Sequence, residues 1–273
     1  MSESCNDNCR TCGKTCGERR EPQSLLAEPN PASNVKKVIG VVSGKGGVGK
    51  SLVTSLLASA FAKQGKKVGI LDADITGPSI PRMFGIHGKA MGSPDGLVPA
   101  VAADGTKIMS TNLLLENETD PVIWRGPMIA GVVKQFWSDV AWGDIDYLFV
   151  DMPPGTGDVP LTVFQSLPVD GIVVVASPQE LVGMIVAKAV KMANSLNIPV
   201  VGLVENMAYF VCPNCNEKHY LFGESQIDIL ADEYGISATA QIPTDPHIAA
   251  LCDAGQVDQV ESSWLQGIIA AIA

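Results

Sequence analysis

At 273 residues, 46% apolar and 18% charged, the chain is globular rather than disordered, and long enough for one large α/β domain or two small ones. Its formal net charge of −10 argues against a nucleic-acid surface, which needs clustered Lys and Arg to meet phosphates. No apolar run approaches the roughly 20 residues of a bilayer-spanning helix, so neither nucleic acid nor membrane is expected as a partner.

The first stretch, "MSESCNDNCR", lacks the basic-then-apolar pattern of a secretory leader, and a cytoplasmic protein is expected. Residues 1–34 are polar and without period, and the three prolines of "EPQSLLAEPNPASN" (21–34) read as a linker. The pattern then changes. "KVIGVVS" (37–43) is a near-continuous apolar run, as in a parallel strand covered on both faces. "KSLVTSLLASAFAKQG" (50–65) follows as a helix whose stripe holds Leu52, Val53, Leu56, Leu57, Ala60 and Phe61, with Gly65 as its stop. Further strands are expected at 67–74, 146–153, 171–177, 199–207 and 237–243, and helices around 128–140, 158–167, 180–196 and 224–234. Residues 96–110 suggest a small hairpin turning at Asp104-Gly105. The alternation predicts a doubly wound, mostly parallel α/β sheet with helices on both faces. The division is a cysteine-rich tail and linker over 1–34 and one phosphate-loop domain over 35–273. "ESSWLQGIIAAIA" (261–273) has no Lys or Arg, unlike an interfacial membrane helix, and reads as a last helix packed on the sheet.

Gly44, Lys45, Gly46, Gly47, Val48, Gly49, Lys50 and Ser51 match G-x-x-x-x-G-K-[ST] between a predicted strand and a predicted helix. The glycines let backbone N–H groups face phosphate oxygens at a helix N-terminus. Lys50 reaches the β- and γ-phosphates of ATP, and the Ser51 hydroxyl binds Mg²⁺. Later strand ends carry acids, where a parallel sheet binds its ligands. Asp72 and Asp151 are candidates to support the magnesium, and Asp74 to orient attacking water.

"GKGGVGKS", "LDADITGPS", "VDMPPGTGD" and "ENM" together resemble the deviant phosphate-loop ATPases, among them MinD, ParA and the arsenite and tail-anchored-protein ATPases. The resemblance implies that Lys45 reaches across a homodimer to the partner's nucleotide, a cation supplied in trans where charge builds up. It also implies that Asn206 and Pro243 lie near the adenine, and that the stretches after Asp72 and Asp151 sense the γ-phosphate.

The seven cysteines narrow the resemblance. "VENMAYFVCPNCNEKHYLFG" (204–223), with "TGPSIPRMFG" (76–85), is similar to the Mrp/ApbC-type iron–sulfur carrier ATPases over residues 36 to about 260. Cys212 and Cys215 are half of the Cys₄ set that a cluster needs, and a two-fold dimer supplies them twice. The expected function is therefore ATP-dependent carriage of a [4Fe–4S] cluster bridging a homodimer, with cluster-assembly scaffolds and apo iron–sulfur proteins as partners. The alternative is a positioning or partner-tethering ATPase of MinD/ParA type, with structural zinc on Cys212, Cys215 and His219. A redox C-x-x-C is disfavoured because Pro213-Asn214 opens no clear helix. Cys5, Cys9, Cys12 and Cys16 form a second candidate metal site, for iron–sulfur or zinc. Cys252 reads as a buried apolar residue, and His87 and His247 as surface or capping residues.

Overall fold

Apolar runs without alternation are stable only where both faces of a strand are covered, and the chain builds the middle of one parallel sheet from them. The computed structural model describes residues 25–74, 77, 79–115, 126–155, 157–178 and 182–273, so the four N-terminal cysteines lie outside the described residues. β1 (Ser33–Ser43) leads through the phosphate loop into α1 (Lys50–Lys63) and returns as β2 (Val68–Asp72). A short α2 (Ile80–Met83) precedes the small strands β3 (Met91–Ser93), β4 (Gly96–Val98), β5 (Ala100–Val101) and β6 (Lys107–Met109). Then come α3 (Gly126–Ser138), β7 (Gly143–Asp151), α4 (Asp158–Ser166), β8 (Gly171–Ala176), α5 (Val182–Ser195) and β9 (Val200–Glu205). A two-stranded hairpin, β10 (Phe210–Val211) and β11 (Lys218–His219), is followed by α6 (Ile227–Tyr234), β12 (Thr239–Gln241), α7 (Pro246–Asp253) and α8 (Gln266–Ile272).

Among the described residues the main sheet runs β12-β9-β8-β1-β7-β2-β6-β5, parallel except for the β5–β6 pair. This is the expected doubly wound sheet. β1 sits between β7 and β8, at the place where the strand order changes direction, which is where such sheets bind ligands. The register sets Asp72 beside Asp151, so two acids share one edge of the sheet. Val53, Leu57 and Phe61 of α1, Ile248 of α7 and Ile268 and Ile272 of α8 fill one face. Val133 and Phe136 of α3, Val163 of α4, Val186 of α5 and Leu230 of α6 fill the other.

Three local features differ from the sequence expectation. α1 is buried nearly all round, not along one stripe, because the segment after α7 and the final helix cover its outer side. Its buried hydroxyls tolerate this by finding acceptors: Ser55 Oγ donates to Ser51 O one turn back at 2.8 Å, and Thr54 Oγ1 to the Asp151 carboxylate at 2.7 Å. The Asp104-Gly105 turn does join two strands, but β4 pairs with β3 instead, and β6 enters the main sheet beside β2. The reason is burial, since Ile108 and Met109 are fully covered there. Finally, the proline-containing stretch from residue 25 is tied to the body: Ala27 N donates to Ser166 O at 2.8 Å, and Trp137 Nε1 donates to Ala27 O at 3.0 Å. α8 packs on the sheet as expected, with Ile268, Ile269 and Ile272 buried.

Candidate nucleotide and metal-binding site

The phosphate loop leaves β1 at its buried end and turns into α1 through Gly47 (φ 77°) and Gly49 (φ 82°), backbone angles that L side chains rarely adopt. A side chain at Gly49 would also collide with Asn206 Nδ2, which donates to Val48 O at 2.9 Å from the end of β9. No side chain caps α1, so the N–H groups of its first turn remain available for an anion. A cleft of about 330 Å³ opens over residues 46–52, with Asp74, Met83 and Pro154 on its walls. Asn206 thus braces the loop, and Pro243 is buried after β12 and is not among the residues lining this cleft.

Beneath the loop the charges are concentrated and almost dry. Lys50 is 5% exposed, with Nζ 2.9 Å from Asp151 and 3.6 Å from Asp74, yet among the described residues it makes no hydrogen bond of good geometry. Asp151 accepts from Ser51 Oγ at 2.6 Å and from Thr54 Oγ1 at 2.7 Å. Asp72 accepts from Ser110 Oγ at 3.0 Å and from Asp74 N at 3.1 Å. Burial, and then the neighbouring charge of Asp151, hold the Asp72 carboxyl well above the usual range, while Lys50 and Ser110 pull it back in part. Two fully buried carboxylates facing one ammonium suit a divalent cation bound beside a phosphate chain. Lys45 is half-buried in the loop, where its carbonyl accepts from Ser43 Oγ at 3.0 Å. Thr54 and Ser110 had not been singled out from sequence. The available sign for Thr54 is weak, a hydroxyl one helical turn beyond Lys50 in a helix that also carries Ser51, Ser55 and Ser59.

The cysteine segment begins six residues after Asn206. Ala208 N donates to Ile242 O and Thr244 N to Tyr209 O, so the run from β9 to β10 is pinned before the hairpin starts. On the far side, Ile227 N donates to Ser225 Oγ at 3.3 Å where α6 begins, and Glu205, a buried acid at the end of β9, has its carboxyl raised chiefly by burial and drawn back in part by the Ser225 hydroxyl. Between these braces, Cys212 N donates to Glu217 O and Asn216 N to Cys212 O, with Asn216 at φ 58° closing the turn. No helix follows Pro213-Asn214, in keeping with the doubt cast on a redox C-x-x-C. The Cys212 thiol is drawn below its ordinary range by the N–H groups of Asn214 and Cys215 and by the Cys215 side chain. Cys212, Cys215 and His219 bring their ligand atoms within 4.8 Å of one another. Val211, Tyr220, Leu221 and Phe222 leave an apolar band beside them, with Leu221 61% and Phe222 56% exposed. Cys252 is half-buried against the core around α1, its thiol raised by burial and by Asp253. His87 and His247 are exposed, and His247 N is capped by Asp245 at the start of α7.

Residues 34–273 match the family model described as ParA, NUBPL iron-transfer P-loop NTPase. The chain belongs to this family. A member named iron-sulfur cluster carrier protein, from Methanocaldococcus jannaschii, is 45% identical over 260 residues, covering 92% of this chain and 89% of its own. The cytosolic Fe-S cluster assembly factor CFD1 of Eremothecium gossypii is 40% identical over 233 residues, covering 82% and 83%. Among solved structures, the nucleotide-binding protein of Archaeoglobus fulgidus, in complex with ADP and with Co found, is 49% identical with a TM-score of 0.78, covering 85% of this chain and 91% of that one. The MinD cell division protein of Aquifex aeolicus, at 20% identity and a TM-score of 0.58, covering 86% and 94%, shares the fold. The resemblances to MinD/ParA-like ATPases and to iron–sulfur carriers therefore hold for this NTPase, and no helix among its described residues is long and apolar enough to cross a membrane.

Proposed function

We propose that the protein is an ATP-hydrolysing iron–sulfur cluster carrier, working in the cytoplasm as a homodimer that holds one [4Fe–4S] cluster on Cys212 and Cys215 of both protomers and delivers it to apo-proteins. The observation that carries this reading is the short physical path between its two sites. Asn206 clamps the phosphate loop through Val48 O, and the pinned backbone that follows reaches Cys212 six residues later. A change in the loop on nucleotide binding is thereby passed to the thiolates. The family membership and the carrier names of close relatives support the same reading.

Lys50 and the loop amides hold the phosphates, Asp74 orients the water that attacks the γ-phosphate, and Lys45 supplies charge from the other protomer. A magnesium ion held by Ser51 and, through water, by Asp151 and Asp72 would neutralise the β- and γ-phosphate oxygens. The thiolates stand on an exposed hairpin, which suits release of cargo. The apolar band from Tyr220 to Phe222 gives a second copy something to cover. Structural zinc centres are closed by four protein ligands, whereas three candidates meet here among the described residues, which weighs against a purely structural metal. The N-terminal Cys5, Cys9, Cys12 and Cys16 are proposed as a separate metal site whose ligands come from one chain.

Anaerobic loading with iron and sulfide provides the test. Cys212→Ala with Cys215→Ala is expected to lose the cluster that an apo-acceptor can take up, while ATP still binds. Normal loading and donation by the double variant would move the cargo site elsewhere.

A further inference from the structure

The two faces of the β10–β11 hairpin carry different chemistry. Phe210 pairs with His219 and Val211 with Lys218. Side chains alternate along each strand, so Phe210, Cys212 and His219 share one face, while Tyr209, Val211, Lys218 and Tyr220 share the other. The second face is fastened: Lys218 Nζ lies 4.2 Å from the centre of the Tyr209 ring, and the Tyr209 and Tyr220 rings are 6.3 Å apart. His219 is consequently held at the diagonal position to Cys212, the cross-strand neighbour that a long side chain can reach. Cys215 arrives from the turn that the Asn216 N–H to Cys212 O bond closes.

We propose that His219 completes a three-ligand site within a single protomer, which takes up one borderline divalent cation (Fe²⁺, Co²⁺ or Zn²⁺) on Cys212, Cys215 and His219 with the fourth position open. Metal–sulfur bonds of about 2.3 Å and metal–nitrogen bonds of about 2.0 Å in a tetrahedron put ligand atoms roughly 3.5–3.8 Å apart. The three atoms lie within 4.8 Å without an ion, so closure by roughly 1 Å, within the freedom of the exposed Cys215 and His219 side chains, completes the site on the half-buried Cys212. The inference rests on the proposed function only in that the same two thiolates serve both. A cluster bridging two protomers uses four thiolates and leaves the imidazole out. A single ion uses two thiolates and needs it. Ion-loaded protomer and cluster-bridged dimer are then mutually exclusive states of one hairpin, with His219 deciding how firmly the first is held.

The test uses the full chain with Cys5, Cys9, Cys12 and Cys16 changed to Ser, titrated anaerobically with Co²⁺ in the absence of nucleotide. One ion per protomer is expected, with thiolate-to-cobalt charge-transfer absorption and an imidazole nitrogen coupling in pulsed EPR. His219→Ala should weaken binding by at least the roughly 10–100-fold that loss of even an outer partner of a metal site costs, and should remove the nitrogen coupling. ATP binding by the same samples reports that the domain is folded. Unchanged affinity and coupling in His219→Ala would overturn the inference, and so would half an ion per protomer held by thiolates alone. In a second arm, Zn²⁺ at a concentration that fills the parent chain but lies below the dissociation constant of His219→Ala should suppress iron–sulfide loading of the parent chain much more than that of the variant, and equal suppression counts against His219. Failure of every chain to form a cluster without zinc would instead strike the carrier reading and leave the cobalt result standing.

Discussion

Lys45→Ala is expected to keep ATP binding and to lose hydrolysis by about 10³-fold, the lower range for removing a cation supplied in trans to a phosphoryl-transfer site. Binding survives because the groups proposed to grip the phosphates are elsewhere: Lys50, the Ser51 hydroxyl and the amides of the loop that Asn206 braces. Mixing decides whether Lys45 acts across the dimer. Asp74→Asn protomers should be equally inactive, since Asp74 lies on the wall of the cleft and is the group proposed to orient the water. In a mixed dimer, the nucleotide bound by the Lys45→Ala protomer has its own Asp74 and the other protomer's Lys45, so that one site works. Equal random mixing makes half the dimers mixed with one active site each, or about a quarter of the wild-type rate. No recovery on mixing would assign Lys45 to its own nucleotide.

The two buried acids beneath the loop should respond in opposite directions to neutralisation. Asp151→Ala leaves Lys50, 5% exposed, with Asp74 at 3.6 Å as the one carboxylate within 4 Å among the described residues, and strips the carboxylate acceptor from Ser51 and Thr54. Breaking a buried ion pair from one side costs about 3–5 kcal/mol, and the lower end applies because removing Asp151 also relieves Asp72. Asp72→Asn is expected instead to stabilise the nucleotide-free protein by on the order of 1 kcal/mol while abolishing magnesium-dependent hydrolysis. Burial raises the Asp72 carboxyl, so the folded chain binds its proton more tightly than the unfolded chain does. That contribution is fully present below the ordinary carboxylate range and is lost as pH rises through the raised value. The stability gap between Asp72→Asn and the parent chain should therefore widen with rising pH from the ordinary carboxylate range upward. Urea melts at a series of pH values check the sign. A gap that narrows would mean that Lys50, not burial, governs Asp72.

Much of this was legible in the residues because it depends on short-range chemistry. Gly44 to Ser51 announce a phosphate loop by spacing alone, and buried strands are recognisable because apolar residues without alternation have few other stable settings. The ends of β2 and β7 display their acids in the linear chain. Other features were hidden because they turn on pairing between distant segments. Whether β4 pairs with β6 or with β3 depends on which strand the main sheet can cover. The outer side of α1 looked solvent-facing because the segments that cover it come some 190 residues later.

The sequence by itself determined the fold class, the phosphate loop, the order of its acids and the pair of thiols, since each is a property of a few consecutive residues and the period of their neighbours. Only the tertiary structure decided that Asn206 clamps the loop from behind and that Thr54 and Ser110 hold the two buried carboxylates. Those contacts join residues tens to more than a hundred positions apart, and strand register, which the whole core sets at once, is what brings them within hydrogen-bond range.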